Sequence, residues 1–546
     1  MQLVAYGAQD VYLSGNPQIT FFKVVYRRHT NFSIEAIQQT WNGAGDFGRS
    51  VTCDINRNGD LITNMYVVVK LPAVAASTLV WGYVNRLGHA LIENVKIEIG
   101  GSKIDEQYGD WLNIWYELTR KTDQDRGYAK MIGDVPELTN ITGASKPAYN
   151  LYIPLQFWFN RNNGLALPLI ALQYHDVRVS LTFRLFTDCV NYVQNTPNTT
   201  TLSMVDSYLL IDYLYLDSEE RKRFAQASHE YLIEQVQFTG SESWNLSNTK
   251  LRLNFNHPSK FLVWAPHLST HYKRSKWPVY NNGSFTQRQL IDRFAVIIAC
   301  VFSRYFAYEN AGQKRIRVSD LGGGTLGKFT FPNVPTISAA VKKLLDKIDI
   351  SFIGNTQSNQ TAVDTGNVST LFAGNDNDVF ANCFIVKNEL TIQDCSVSVD
   401  WLLSEIPAAS IANNATALLN VWTSNIINYH NYGFSIDGSD NVCSRAKLQL
   451  NGHDRFQERD GNYFNYVQPK QHFSHTPADG INVYSFALKA EDHQPTGTCN
   501  FSRIDNATLN VTSDYTIPNG SIINIYTQNY NVLRVMSGMA GTAYSN

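Results

Sequence analysis

The chain has 546 residues, 44% of them hydrophobic and 12% aromatic, with only 17% charged and a formal net charge of -2. This is a globular composition, long enough for two to four domains, and its near-neutral balance argues against a broad basic face for nucleic acid. Seven scattered cysteines (Cys53, Cys189, Cys300, Cys383, Cys395, Cys443 and Cys499) have no CxxC spacing and read as free thiols of a reducing compartment, not a disulfide framework.

The opening "MQLVAYGAQDVYLSGNPQ" lacks the basic and apolar regions of a secretory signal. "KVVYRRHTNF" then concentrates Lys23, Arg27, Arg28 and His29, read as charge on a strand edge that discourages wrong pairing. "FSIEAIQQTW" (32–41) alternates apolar and polar residues as a half-buried strand does, and "MYVVVKLP" (65–72) is an apolar strand closed by proline. "KIEI" (96–99) runs into a glycine turn and a short aromatic helix, with Tyr108, Trp111, Leu112, Trp115 and Leu118 on one face to cap the end of a sandwich. Strands follow at 150–159, 175–183 and 207–216. "LDSEERKRFAQ" has the capping pattern Asp217/Glu220 and an anchoring Phe224, which predicts a short rigid linker helix.

The series then repeats. "YLIEQVQFTG" (231–240) answers 32–41, with Ile34/Ile233, Glu35/Glu234 and Ile37/Val236 in register at an offset of 199. "SKFLVWAP" (259–266) answers 65–72. "KLQLNGHDRFQERDGNYFN" (447–465) answers 96–113 at an offset of 351, which leaves an insertion of about 150 residues in the second copy between Pro266 and Lys447. "NVYSFALKAE", "IDNATLNVT" and "SIINIYTQNY" complete the second copy. Six correspondences in one order define a tandem duplication. Short strands with crossover loops and no βαβ rhythm predict an all-β fold of two tandem eight-stranded antiparallel jelly rolls. The boundaries read as an arm at 1–30, a first jelly roll at 31–216, a linker at 217–229, and a second jelly roll at 230–546 holding an insertion at about 267–446.

"GAQDVYLSGNPQITFFKVVYRRHTNF" (7–32), "HPSKFLVW" (257–264), "KLQLNGHDRF" (447–456) and "YSFALKAEDHQPTGTCNFSRID" (484–505) resemble the major capsid protein of nucleocytoplasmic large DNA viruses, in particular the algal-virus and mimivirus-like members. The resemblance spans nearly all of the chain except the insertion. It implies a structural protein without catalysis or cofactor, a homotrimeric pseudo-hexagonal capsomer, and an icosahedral shell over an internal membrane. Implied partners are further copies, neighbouring capsomers, and minor capsid, penton and cement proteins, with no direct nucleic acid. Implied localisation is the virion, after assembly in host cytoplasm. The insertion would form an outward crown, and Asn282, Asn359 and Asn367 are the candidate sugar acceptors among twelve sequons that are mostly compositional. Lys23, Arg27 and Arg28 would contact minor capsid proteins or the membrane on the inner face. Trp111, Trp115, Tyr463 and Phe464 are the structural residues of the cap helices.

Motifs for chemistry are weak. "GGGTLGKF" (322–329) has the glycine and lysine spacing of a phosphate loop, but Phe329 replaces the Mg²⁺-binding hydroxyl and prolines follow. His472 and His475, with His453, His493 and Cys499, give no set of three or four metal ligands at plausible spacing. Asp454/Glu458 and Glu491/Asp492 read as solvated carboxylates, and no Gly-x-Ser-x-Gly elbow is present. "ISAAVKKLLDKIDISF" has helical spacing at Val341, Leu344, Leu345 and Ile348. A carbohydrate-binding jelly-roll protein for host attachment is the alternative function; it would need an exposed aromatic platform or a Ca²⁺ carboxylate cluster.

Overall fold

The computed structural model describes residues 29–76, 81–121, 123–139, 145–192, 202–269 and 441–544, Tyr280, and short pieces at 7–9, 11, 15–17, 314–315, 350–352 and 383–385. Lys23, Arg27, Arg28, Asn282, Asn359, Asn367 and the 322–329 loop lie outside the described residues, as do Val341 to Ile348. Just beyond those positions is a strand, Ile350–Phe352, in a small sheet with Lys314–Arg315 and Cys383–Ile385.

Eight strands build the two main sheets of the first unit: β1 (Phe32–Thr40), β2 (Ser50–Asp54), β3 (Leu61–Leu71), β4 (Ile92–Ile99), β5 (Ser102–Tyr108), β6 (Tyr149–Pro154), β7 (Val177–Phe183) and β8 (Asp206–Leu216). They form two antiparallel sheets, ordered β1-β8-β3-β6 and β2-β7-β4-β5. The second unit uses β9 (His229–Phe238), β10 (Asn248–Arg252), β11 (Pro258–His267), β12 (Arg445–Leu450), β13 (His453–Asp454), β14 (Asn482–Ser485), β15 (Ala507–Thr512) and β16 (Ile522–Met536). Its sheets run β9-β16-β11-β14 and β10-β15-β12-β13, the same topology strand for strand. The six repeated sequence segments fall on equivalent strands, so the duplication seen in the text is a duplication of architecture.

Alternation sets the faces. In β7, Val177, Val179, Leu181 and Phe183 are buried while Arg178 between them is exposed. Central β3 is apolar almost throughout and is buried from both sides by the opposing sheet and surrounding loops. Each unit has its own core, one built on residues such as Val67, Ile97, Phe183 and Ile211, the other on Trp264, Leu448, Phe464 and Leu509. The first core is not purely local. Ile233, Leu533, Val535 and Ala540 of the second unit are part of it.

Those last residues come from a hairpin. β16 turns through Ser537 and Gly538, both at positive φ, into β17 (Met539–Thr542). The turn lies on the first unit: the Tyr174 N–H donates to the Gly538 carbonyl at 2.9 Å, and the Ala540 N–H donates to His175 Nδ1 at 3.1 Å. Between the units runs helix α3 (Ser218–Gln226), following α1 (Gly109–Thr119) and α2 (Trp158–Arg161). Asp217 accepts from the Glu219 and Glu220 N–H groups at 3.2 and 3.0 Å, Arg221 donates to buried Asp60, and Phe224 packs beside Leu214.

Each unit enters its helical turn through a glycine pressed on backbone. A Cβ on Gly109 would stand 2.2 Å from the His89 and Ile92 carbonyl oxygens, and one on Gly461 would stand 1.8 Å from the Cys443 oxygen. Gly109→Ala and Gly461→Ala are each expected to cost about 1–3 kcal/mol in urea unfolding. An unchanged midpoint would show that the backbone yields freely there.

Candidate functional site

The most heavily buried polar groups of the described residues gather at the seam where the two jelly rolls join. α1 makes much of it. The sequence pattern assigned its apolar face to capping one sandwich; the structure divides that face. Leu112 enters the first core, whereas Trp111, Trp115 and Leu118 lie with Ile114 against Val236, Phe261, Val263, Phe473, Ile481 and Tyr526 of the second unit. The reason is that α1 is wedged between two bodies and is buried on nearly every side. Trp111 and Trp115 stack on Phe261 at centroid distances of 6.2 and 6.5 Å. Each such buried ring contributes about 1.5–3 kcal/mol.

The counterpart in the second unit is a π-helical turn, Tyr463–Val467, that continues into α4 (Gln468–His472). Phe464 is fully buried in its own core against Trp264, while Tyr463 is half-buried at the surface under the Arg459 guanidinium. Asn465 donates to the Ala478 and Ile481 carbonyls and holds the following loop.

Sequence reasoning did not find the polar centre of the seam. Asp110, at the start of α1, is buried and accepts four bonds from beyond its own unit. They come from Tyr280 Oη (2.7 Å), Tyr526 Oη (2.9 Å), Asn524 Nδ2 (3.0 Å) and His267 Nε2 (3.2 Å). Burial alone would raise its carboxyl; His267 and the surrounding donors outweigh burial and hold it below the usual carboxylate range. Tyr280 also accepts from Asn113 Nδ2 at 2.9 Å, so His267 and Tyr280, both within the 267–446 stretch, are fixed in the seam and not in a crown.

A second buried carboxylate reverses the polarity. Glu234 on β9 receives Arg161 of α2 at 2.5 Å and Lys260 of β11 at 2.7 Å, with His493 at 3.6 Å. Burial opposes ionisation, yet the Arg161 and Lys260 charges and the hydrogen bonds to the carboxylate bring its pKa down to about 2. Arg161 also lies 4.8 Å over the Trp115 ring. Burial lowers the Lys260 ammonium, offset in part by Glu234. Nearby, Arg86 pairs with buried Glu117, whose Oε2 accepts the Ala478 N–H of the second unit at 3.1 Å.

Where the sheet edges meet, Asp105 of β5 accepts the Val236 N–H of β9 at 3.0 Å. Its carboxyl is desolvated without a cation in hydrogen-bond contact, and burial pushes its pKa up to about 7. A cavity of about 180 Å³ opens beside it, lined by Lys103, Tyr108, Gln237 and Phe238.

The histidines of the sequence reading are dispersed in structural roles. His472 contacts the Leu488 carbonyl, and the His475 N–H donates to Leu118 across the seam. Among the described residues no group of three or more His, Cys, Asp or Glu is placed to hold a metal ion. Asp454 is exposed beside Lys447 at 3.4 Å.

Two jelly rolls of one topology, locked edge to edge by buried ion pairs, define a double jelly-roll capsid protein. The family described as the major capsid protein N-terminus matches residues 20–217, and that of the large eukaryotic DNA virus major capsid protein matches 220–319 and 340–541. The chain belongs to the major capsid proteins of large eukaryotic DNA viruses. It is 41% identical to the major capsid protein of Phaeocystis pouchetii virus and 40% identical to capsid protein 1 of Acanthamoeba polyphaga mimivirus, over 100% of this chain and 99% of each relative. A quasi-atomic structure of the PBCV-1 virus capsid matches with a TM-score of 0.61 at 32% identity, covering 96% of this chain and 100% of that one. The chain is thus a structural protein of an icosahedral capsid, and nothing in these likenesses favours the carbohydrate-binding alternative.

The seam sets the stability. Asp110→Ala strands four buried donors and is expected to cost roughly 3–5 kcal/mol in urea unfolding, against about 1 kcal/mol for Tyr280→Phe. Equal costs would remove the carboxylate from its central place.

The two shifted carboxylates act with opposite sign on pH. Glu234 stabilises above its ordinary value of 4.5, and that contribution is lost as pH falls from there to about 2. Asp105 is raised from 3.8 to about 7, so ionising it costs stability as pH climbs through that window. Unfolding measured against pH is expected to flatten between 4 and 7 in Asp105→Asn, and below 4.5 in Glu234→Gln. An Asp105→Asn profile that parallels the wild type would refute the first assignment.

Proposed function

We propose that the chain works as a homotrimer, a pseudo-hexagonal capsomer that tiles the shell. The supporting observation is the strand-for-strand repetition of one jelly roll within a rigid chain: three chains then present six similar sides, and a heterologous contact repeated by rotation closes a ring. The work is mechanical and non-enzymatic. In this reading the chain divides into an arm at 1–30, a jelly roll at 31–216, a linker at 217–229 and a jelly roll at 230–546. Apart from its buried ends and Tyr280, the 267–446 insertion faces outward and carries Asn282, Asn359 and Asn367. Lys23, Arg27 and Arg28 face inward, toward minor capsid proteins or the internal membrane, and penton and cement proteins complete the shell. Assembly takes place in host cytoplasm.

An obligate trimer needs on the order of 2,000 Å² or more buried per contact. Light scattering after size exclusion at two concentrations is expected to give three times the chain mass, unchanged on dilution. A monomer at both concentrations would refute the trimer.

A further inference from the structure

Within the chain, the units meet along two particular sheet edges: β5, which ends one sheet of the first unit, and β9, which ends one sheet of the second. Beyond the Asp105–Val236 bond, the Gln235 amide donates to the Ile104 carbonyl. Contact with the first unit leaves Ile233, Glu234, Gln235 and Val236 of β9 all buried.

The duplication supplies a second copy of each edge. β1 is the repeat of β9, with Phe32 for Tyr231, Ile34 for Ile233, Glu35 for Glu234 and Ile37 for Val236. β1 also ends its sheet. Yet Phe32 is 51% and Ile34 57% exposed, where Ile233 is 0%. The repeat of β5 is the segment 453–460, exposed throughout except for half-buried Phe456. Tyr463, which stands in the place of Trp111, is half-buried where Trp111 is buried. Among the described residues there is therefore one mated pair of edges and one unmated pair of the same kind, at opposite ends of the duplication. Apolar side chains on an uncovered strand edge are a liability that natural proteins avoid.

We infer that the unmated edges mate with each other between copies: β1 of one copy docks on the 453–460 edge and Tyr463 of the next, repeating the intrachain seam. Ile34 then takes the buried place of Ile233. Glu35, which already accepts from Tyr215 Oη at 3.1 Å, meets an edge carrying Arg455 and Arg459, cations able to serve it as Arg161 serves Glu234. The partner is a second copy of this chain, because the covering surface is one the chain itself encodes. The contact is heterologous, so it propagates head to tail and closes as a ring, with seams within chains and seams between chains alternating. This inference rests on the trimer reading and assigns its contact surfaces.

The test uses the full chain, with Ile34→Asp and the double variant Arg455→Glu/Arg459→Glu, read by light scattering on dilution and by amide hydrogen exchange. Both variants touch exposed side chains and are expected to keep the subunit fold while raising the trimer dissociation constant by about tenfold or more. In the wild-type trimer, exchange at 33–38 and 454–459 is expected to be slow beside that of the β10 edge, 248–252, which has no such mate; this decides the matter even if a variant fails to fold. A wild-type trimer whose variants dissociate no more readily would overturn the assignment and leave the trimer standing. A wild type that is monomeric at every concentration would overturn both. Protection of 33–38 persisting in a monomeric charge-reversed variant would show that residues 1–28 of the same chain cover β1, and would also overturn the assignment.

Discussion

Everything in this subunit depends on a reciprocal exchange of buried charge. Asp110 belongs to the first jelly roll and finds its donors beyond it; Glu234 belongs to the second and takes Arg161 from the first. A carboxylate removed from water without partners costs several kcal/mol, so neither unit can present its edge in the dry state alone. The apolar wedge of Trp111 and Trp115 adds affinity, but it is non-directional. The carboxylates supply the register, since hydrogen bonds at 2.5–3.2 Å fix position in a way that stacked rings do not. Two sandwiches joined by a helix alone would swing. Joined in this way they make one rigid body.

Rigidity is what tiling asks of a subunit. A shell built from many copies accumulates any angular looseness between the halves of each, and a hinge at the seam would spread that looseness over the whole lattice. The shared topology of the two halves gives the chain two near-equivalent sets of sheet edges.

Much of the fold was legible in the sequence. Six repeated segments gave the duplication, alternation gave the strands, and Asp217 with Glu220 marked the linker helix. The seam was not legible, and the reason is physical. An apolar helix face is the same text whether it covers its own sandwich or a neighbour's, so Trp111 and Trp115 could not declare their partner. Glu234 in "YLIEQVQF" and Lys260 in "SKFLVW" are charged residues set among apolar strand neighbours, and only their pairing within the second unit, completed by Arg161 from the first, shows that they are buried together. A signal was present: "IE" recurs at 34–35 and 233–234, an acid kept at one point of both strands. Asp110 carried less, being a common residue at a helix start.

The β16–β17 hairpin bears on the order in which the protein is made. Domains on a ribosome fold as they emerge, N-terminal first. Here the first jelly roll emerges before the second, yet Leu533, Val535 and Ala540, which belong to its core, are synthesised only after most of the second unit. Until they arrive, that core has an open flank. A chain interrupted before Leu533 never closes it, and so lacks a finished first unit as well as a finished second. The hairpin therefore makes synthesis of the second unit a condition for a sound first one, a form of quality control written into the core itself.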